Sequence, residues 1–187
     1  KEDLLELVAL GTVADLGPLV GENRILVSRG LAAIKNTHRV GLQAVMNRAR
    51  LSPTSVNVEA ISFRISPRLN APGRMDHADL SLQLLTTTDA TDAERLADEI
   101  ELMNTHRRQL TQKYLEQAQA QMENARDIQH FIIVGGEEYP LGIAGLLASR
   151  LAESFHRPAI VFQQLQSEVR GSARSIPGFH VTEALEQ

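Results

Sequence analysis

Residues 63–74, Phe63-Arg64-Ile65-Ser66-Pro67-Arg68-Leu69-Asn70-Ala71-Pro72-Gly73-Arg74, hold three arginines, an asparagine, two prolines and a glycine. A guanidinium is a planar fork that binds phosphate through two parallel hydrogen bonds. Each proline lacks a backbone donor and turns the residue before it away from helix. Gly73 permits a close backbone approach. The segment reads as a rigid, exposed loop that grips phosphate, although a solvated basic loop beside a helix start would have the same composition. A second stretch with phosphate chemistry is Gly171-Ser172-Ala173-Arg174-Ser175, with two hydroxyls, a guanidinium and a permissive glycine. A polar edge strand has that composition too. Asp15 lies among small and apolar residues just before Gly17-Pro18. A carboxylate in that setting needs a partner, either a metal ion or the turn that it caps. Asp76-His77-Ala78-Asp79 carries ligand-type side chains, but two acids three apart at a helix start also cap it and match its dipole. We read them as caps.

The elements that must position these residues follow from periodicity. Residues 2–10 read as a helix stopped by Gly11, and residues 23–34 as a second helix. A third runs over 38–50, with Val40, Ala44, Val45 and Ala49 turned inward. Ser52-Pro53-Thr54-Ser55 is a turn, and residues 58–63 lead into the arginine segment. A short helix covers 78–86. Thr91-Asp92-Ala93-Glu94 reads as a capping box that opens the longest helix, to about Arg126. Its stripe is Leu96, Ile100, Met103, Leu110, Tyr114, Ala118 and Met122, with Arg107 in the one gap. At 1.5 Å per residue this helix spans roughly 54 Å, enough to join two domains. A spacer packed on its own chain suits the short, impure stripe better than a coiled coil. Its polar face carries His106, Arg107 and Arg108, placed to meet a nucleic-acid backbone or simply to be solvated.

From Asp127 the pattern changes. A strand over 130–136, a helix over 142–155 and a strand over 158–163 predict a right-handed parallel unit. The small residues Gly142, Ala144, Gly145, Ala148 and Ser149 let that helix lie close to a neighbour. Residues 169–175 read as a further strand, Pro177-Gly178 as a turn, and His180 onward as a helix. The fold class is α/β, mostly helical at first, then a long connecting helix, then a partial α/β domain.

The totals narrow the function. With 187 residues, 43% of them hydrophobic, the chain suits one large domain or two small ones. A net charge of −4 excludes a generally basic nucleic-acid coat, so any phosphate site is local. Arginine supplies 16 of the 19 basic residues, as phosphate contacts or a GC-rich genome would both produce. The absence of cysteine excludes disulfides and thiolate metal sites. No apolar run has the length of a membrane span and no cleavage pattern follows Lys1, so a cytoplasmic protein without membrane partners is expected. The chain opens inside an apolar pattern without Met and stops within a helical pattern, so we expect a piece of a longer protein.

Ala9-Leu10-Gly11-Thr12-Val13-Ala14-Asp15, then residues 63–74, then Gly171-Ser172-Ala173-Arg174-Ser175-Ile176-Pro177-Gly178-Phe179 occur in that order. In this, essentially the whole chain resembles the single-strand-specific 5′→3′ DNA exonucleases of the DHH phosphoesterase superfamily. The resemblance implies that residues 1–88 are the C-terminal part of a DHH catalytic domain, 89–128 a long connecting helix, and 129–187 the N-terminal part of a DHHA1 domain. It implies a two-metal site of Mn2+ or Mg2+, with Asp15 as a catalytic metal ligand. Arg68, Asn70 and Arg74 would face the substrate phosphates, and Ser172 and Arg174 would hold the DNA 5′ end. The implied setting is DNA repair and recombination. The implied partners are single-stranded DNA, a single-strand-binding protein and a recombination helicase.

Departures from the pattern are large. The family's Asp-x-Asp, Asp-His-His and Gly-Gly-His motifs do not occur in these 187 residues, and are expected upstream of Lys1 and downstream of Gln187. One aspartate cannot hold two metal ions, so the chain alone is expected to be inactive. Glu138-Tyr139-Pro140-Leu141-Gly142 stands where many such proteins carry Trp-His-Pro-Gly. Two other functions fit the superfamily: a phosphodiesterase for small nucleotides or oligoribonucleotides, and a non-catalytic single-strand-binding scaffold in a replication or repair complex. The long helix and residues 171–179 favour the exonuclease, and the retained Asp15 argues against the scaffold.

Overall fold

The computed structural model describes residues 4–75, 77–124 and 130–186. The chain divides into two compact units, Lys1–Thr105 and His106–Gln187.

The first unit is helical. Helices α1 (Leu5–Ala14) and α2 (Gly21–Ile34) pack at Gly30, where a Cβ would lie 2.3 Å from the Leu5 carbonyl oxygen. The expected stop at Gly11 does not occur. A helical glycine costs about 1 kcal/mol against alanine, less than burial of Ala9, Leu10 and Val13 on either side of it contributes. The helix ends instead where Leu16 turns left-handed, with φ 55°. There the Gly17 N–H donates to the Thr12 carbonyl at 2.9 Å and the Leu16 N–H to that of Val13 at 3.2 Å. Helix α3 (Val40–Arg48) ends in the same way, at Arg50 with φ 54°. Buried Glu6 of α1 accepts from the Thr37 hydroxyl at 2.9 Å and pairs with Arg39 at 3.3 Å, tying α1 to the start of α3.

The arginine segment is not a loop. The chain runs through α4 (Val58–Ala60), a π-helical turn (Ile61–Ile65), α5 (Ser66–Leu69) and α6 (Ala71–Met75). Asn57 caps the start, its Oδ1 accepting from the Ala60 N–H at 2.8 Å. Each proline stands second in a short helix, where its missing N–H has no carbonyl partner to lose. A π turn directly precedes the helix that holds Pro67. Ile61, Ile65, Ser66, Ala71 and Pro72 are buried, so core packing overrides the local bias against helix. A Cβ on Gly73 would meet Ala78 at an ordinary 3.4 Å, so that glycine is not needed for a close approach there.

Helix α7 (Asp79–Thr86) crosses α3 at Gly41, and α8 (Ala90–Asn124) follows. The cap of α8 is Asp89, whose Oδ1 accepts from the Asp92 N–H at 2.7 Å, so Thr91 is already inside the helix and the expected box is displaced. In the first unit, Ala93, Leu96, Ala97 and Ile100 of α8 join Ile34, Leu42, Ile61, Ile65 and Leu84 in one core. Further along α8, Tyr114 and Ala118 belong to the core of the second unit. The helix therefore contributes to both units. Its expected end at Arg126, the pattern change at Asp127 and the expected cap Asp76 lie outside the described residues.

In the second unit β1 (Ile132–Gly136) pairs in parallel with β2 (Ala159–Gln164), and α9 (Leu141–Phe155) makes the crossover. Strand β3 (Val169–Arg174) pairs antiparallel with β2, giving the order β1-β2-β3. Ile132, Val134, Ala159 and Val161 pack with Ile143, Leu147 and Leu151 of α9. Helix α10 (Val181–Glu186) ends the described chain, with the His180 Nδ1 accepting from the Glu183 N–H at 3.2 Å. Among the described residues, no helix is long and apolar enough to cross a membrane.

Candidate functional site

Side chains two apart on a strand share a face. Ser172 and Arg174 stand opposite Val161 and Ala159, the buried residues of β2, so they point to the side on which α9 lies. There the Arg174 Nε donates to the Ser149 Oγ at 3.0 Å. Its Nη1 donates to the Ser172 Oγ at 3.2 Å and to the Ala173 carbonyl at 2.8 Å. A Cβ on Gly145 would lie 3.2 Å from both the Arg174 Nη2 and the Ser172 Oγ. The small residues of α9 do allow a close neighbour, and that neighbour is a guanidinium. Gly171 serves pairing, since a Cβ there would come within 2.5 Å of the Val161 carbonyl oxygen.

The contrast with other arginines is chemical. Arg48 pairs with Asp98 at 2.6 Å and Glu94 at 2.8 Å, Arg95 with Asp92 at 2.6 Å, and Arg170 with Glu168 at 2.7 Å. Arg174 is bonded to hydroxyls and a carbonyl, and among the described residues no contacting carboxylate offsets its charge.

Arg68 does the opposite. Its Nε and Nη2 grip the two oxygens of Glu101 on α8 at 2.6 and 3.2 Å, and its Nη1 donates to the Arg64 carbonyl at 2.6 Å. The residue expected at the substrate phosphates is thus engaged by a carboxylate and a carbonyl of its own chain. The helical course of residues 66–69 turns Arg68 toward α8, where its side chain is 15% exposed and that of Glu101 30%. Arg64 caps α3, donating to the carbonyls of Ala49 and Arg50. We expect Arg68→Ala to lower the stability of the first unit by about 1–2 kcal/mol, between the worth of exposed and buried pairs, and to leave strand affinity unchanged. Urea titration and DNA binding of the same variant test both.

Asn70 is exposed at the end of α5, and Arg74 is half-buried one turn later in α6. Both belong to the first unit, and Ser172 and Arg174 to the second.

Asp15 follows the last residue of α1, exposed, with its N–H on the Gly11 carbonyl at 3.0 Å. Among the described residues no group of three or more His, Cys, Asp or Glu could hold a metal ion. The residues present therefore do not make a two-metal site, and Asp15 offers one carboxylate toward one. Asp79 sits in the first turn of α7, where its charge suits the dipole, but the cap position is Ala78.

Ion pairing at Arg48 carries an expectation for the pH dependence of the first unit. The Arg48 guanidinium, hydrogen-bonded to Asp98, holds that carboxyl below the usual carboxylate range. A depressed carboxylate adds stability above its unfolded pKa and loses it as pH falls through its folded one. The urea midpoint should fall in acid, and Asp98→Asn should flatten that dependence.

At the position where the resemblance expects histidine, Tyr139 is buried against Tyr114 with ring centroids 5.0 Å apart. Burial pushes its hydroxyl pKa up, and the hydroxyl has no partner among the described residues. A cleft of about 410 Å³ beside it is lined by Gln117, Gln121, Gly135 and Gly136.

Sequence reading missed the roles of Ser149, Gly145 and Glu101. The first two carried only a packing signal, and Glu101 looked like one more solvated acid on a helix face.

The fold is that of an α/β protein whose second unit sets the Arg174 guanidinium against two serine hydroxyls. No protein-family model matches the chain. It is 37% identical over 188 aligned residues to the single-stranded-DNA-specific exonuclease RecJ of Bacillus subtilis (strain 168), covering 100% of this chain and 24% of that protein. To the Escherichia coli (strain K12) RecJ it is 36% identical over 195 residues, covering 99% of this chain and 33% of that protein. The fold is similar to the crystal structure of Thermus thermophilus RecJ in complex with Mg2+, with a TM-score of 0.89 and 32% identity over 100% of this chain and 29% of that one. The chain spans about a quarter to a third of the length of these curated relatives. Over its whole length it is similar to a segment of RecJ exonucleases.

Proposed function

We propose that this chain is part of a single-stranded-DNA-specific exonuclease that hydrolyses phosphodiester bonds from a 5′ end, in DNA repair or recombination. The second unit binds the terminal 5′-phosphate through Ser172 and Arg174, and Asn70 and Arg74 meet the phosphates of the strand. The observation that carries this reading is the Arg174 guanidinium, held by serine hydroxyls rather than by a carboxylate. Such a group gains a charge-assisted bond when a phosphate arrives, without first giving up an ion pair. RecJ structures with Mg2+ or Mn2+ bound support a divalent metal in the whole protein. Asp15 would be one of several ligands, so the chain by itself is inactive. A single-strand-binding protein and a recombination helicase are partners in the same reading.

Fluorescence anisotropy of the chain with single-stranded DNA tests the reading. The 5′-phosphate and 5′-hydroxyl forms are compared without metal at two salt concentrations. Tighter binding of the 5′-phosphate strand, weakening with salt, is expected. Equal affinity for the two strands would overturn the end-binding site.

A further inference from the structure

We infer that Ser149 is a positioning residue for the Arg174 guanidinium, and that the bare Cα of Gly145 sets the space in which a terminal phosphate oxygen meets it. The inference rests on the 5′-phosphate reading above. Ser149 uses its own proton on the Gly145 carbonyl, at 2.9 Å, so its oxygen is left to accept the Arg174 Nε–H at 3.0 Å. That contact fixes one edge of the fork against α9. Nη1 is spent on Ser172 and the Ala173 carbonyl. Two donors then have no acceptor among the described residues: the Nη2 of Arg174 and the hydroxyl proton of Ser172, which accepts from Nη1. Both lie beside Gly145, where a Cβ would be 3.2 Å from each. Any side chain at 145 would stand between the two donors and an incoming oxygen. Ser149 thus acts through Arg174, holding it so that Nη2 rather than Nε meets the ligand.

Two donors, from a cation and a hydroxyl, suit one anionic phosphate oxygen, and the 5′-phosphate reading makes that oxygen one of a terminal monoester. The test compares 5′-phosphate and 5′-hydroxyl oligonucleotides by anisotropy in EDTA, with the thermal midpoint of every variant recorded. Ser149→Ala should lower the 5′-phosphate preference about 3- to 10-fold, the loss of one hydrogen bond, and leave 5′-hydroxyl affinity unchanged. Ser149→Thr, which keeps the oxygen, should restore the preference. Gly145→Ala should reduce it without touching Ser149. A wild-type preference that Arg174→Ala removes but Ser149→Ala and Gly145→Ala both leave intact would overturn the positioning role alone. A wild type with no preference would overturn the end-binding site and this inference with it.

Discussion

Replacing Arg174 with alanine is expected to weaken binding of a 5′-phosphorylated single strand by about 10- to 150-fold. That range is the 1.5–3 kcal/mol of a hydrogen bond to a charged group. The effect should be large because the guanidinium has no carboxylate partner to be released from, so most of the contact energy appears as binding. It should also be selective. A 5′-hydroxyl end offers Nη2 only a neutral acceptor in place of a charged oxygen, and its affinity should move far less. Arg174→Lys should recover only part of the loss, since a lysine keeps the charge but cannot reach Ser149, Ser172 and a phosphate with one planar group. The fold should tolerate all three side chains, because the Arg174 side chain is exposed at the end of β3. Anisotropy titrations of the two strands decide it. Equal losses for both would make Arg174 a general electrostatic contact and not an end reader.

The largest stability effect is expected at Gly41. A Cβ there would lie 1.7 Å from the Leu84 carbonyl oxygen and 2.7 Å from its carbonyl carbon. Those are backbone atoms of α7, and no rotamer change can move them. Gly41→Ala must separate α3 from α7 and loosen Leu42 and Leu84, both fully buried. We expect a loss of about 3 kcal/mol, at the upper end of overpacking costs. Gly11 provides the opposite case within the same unit. It is mid-helix and exposed, with nothing within 4 Å of a built Cβ, so Gly11→Ala should stabilise by about 0.5–1 kcal/mol. Urea midpoints of the two variants should move in opposite directions. A Gly41→Ala midpoint close to that of the unchanged chain would mean that the helices do not cross this closely in solution.

The two glycines show where sequence reading ran short. Gly11 looked like a helix stop, and Gly41 drew no notice at all. A glycine's role depends on what stands opposite its Cα, which the chain brings there from 43 residues away, as at Leu84. The same holds for the arginines. Residues 63–74 announced guanidinium chemistry, but composition does not assign each fork its partner. Arg68 found Glu101 across 33 residues, and Arg174 found Ser149 across 25. Proline misled for a related reason. Its local bias is worth a few kcal/mol at a helix interior and little at a first turn, and the burial of Ile61, Ile65 and Ala71 decided that it stands in first turns.

What the residues determined by themselves is what has a local period or a local order. The stripe of α8, the apolar strands β1 and β2, the helix between them and the turn at Gly178 are each specified within a few residues of their own position, because side-chain direction repeats every 3.6 or 2 residues. The order of the three motifs, Asp15, residues 63–74 and residues 171–179, was enough to point to the family. The tertiary structure alone decided which charges are spent. Packing helix α5 against α8 commits Arg68 to an ion pair, while laying the small face of α9 against β3 leaves Arg174 held by hydroxyls with its charge uncompensated. Coulomb and hydrogen-bond partners act over a few ångströms of space, and distance along the chain does not report them.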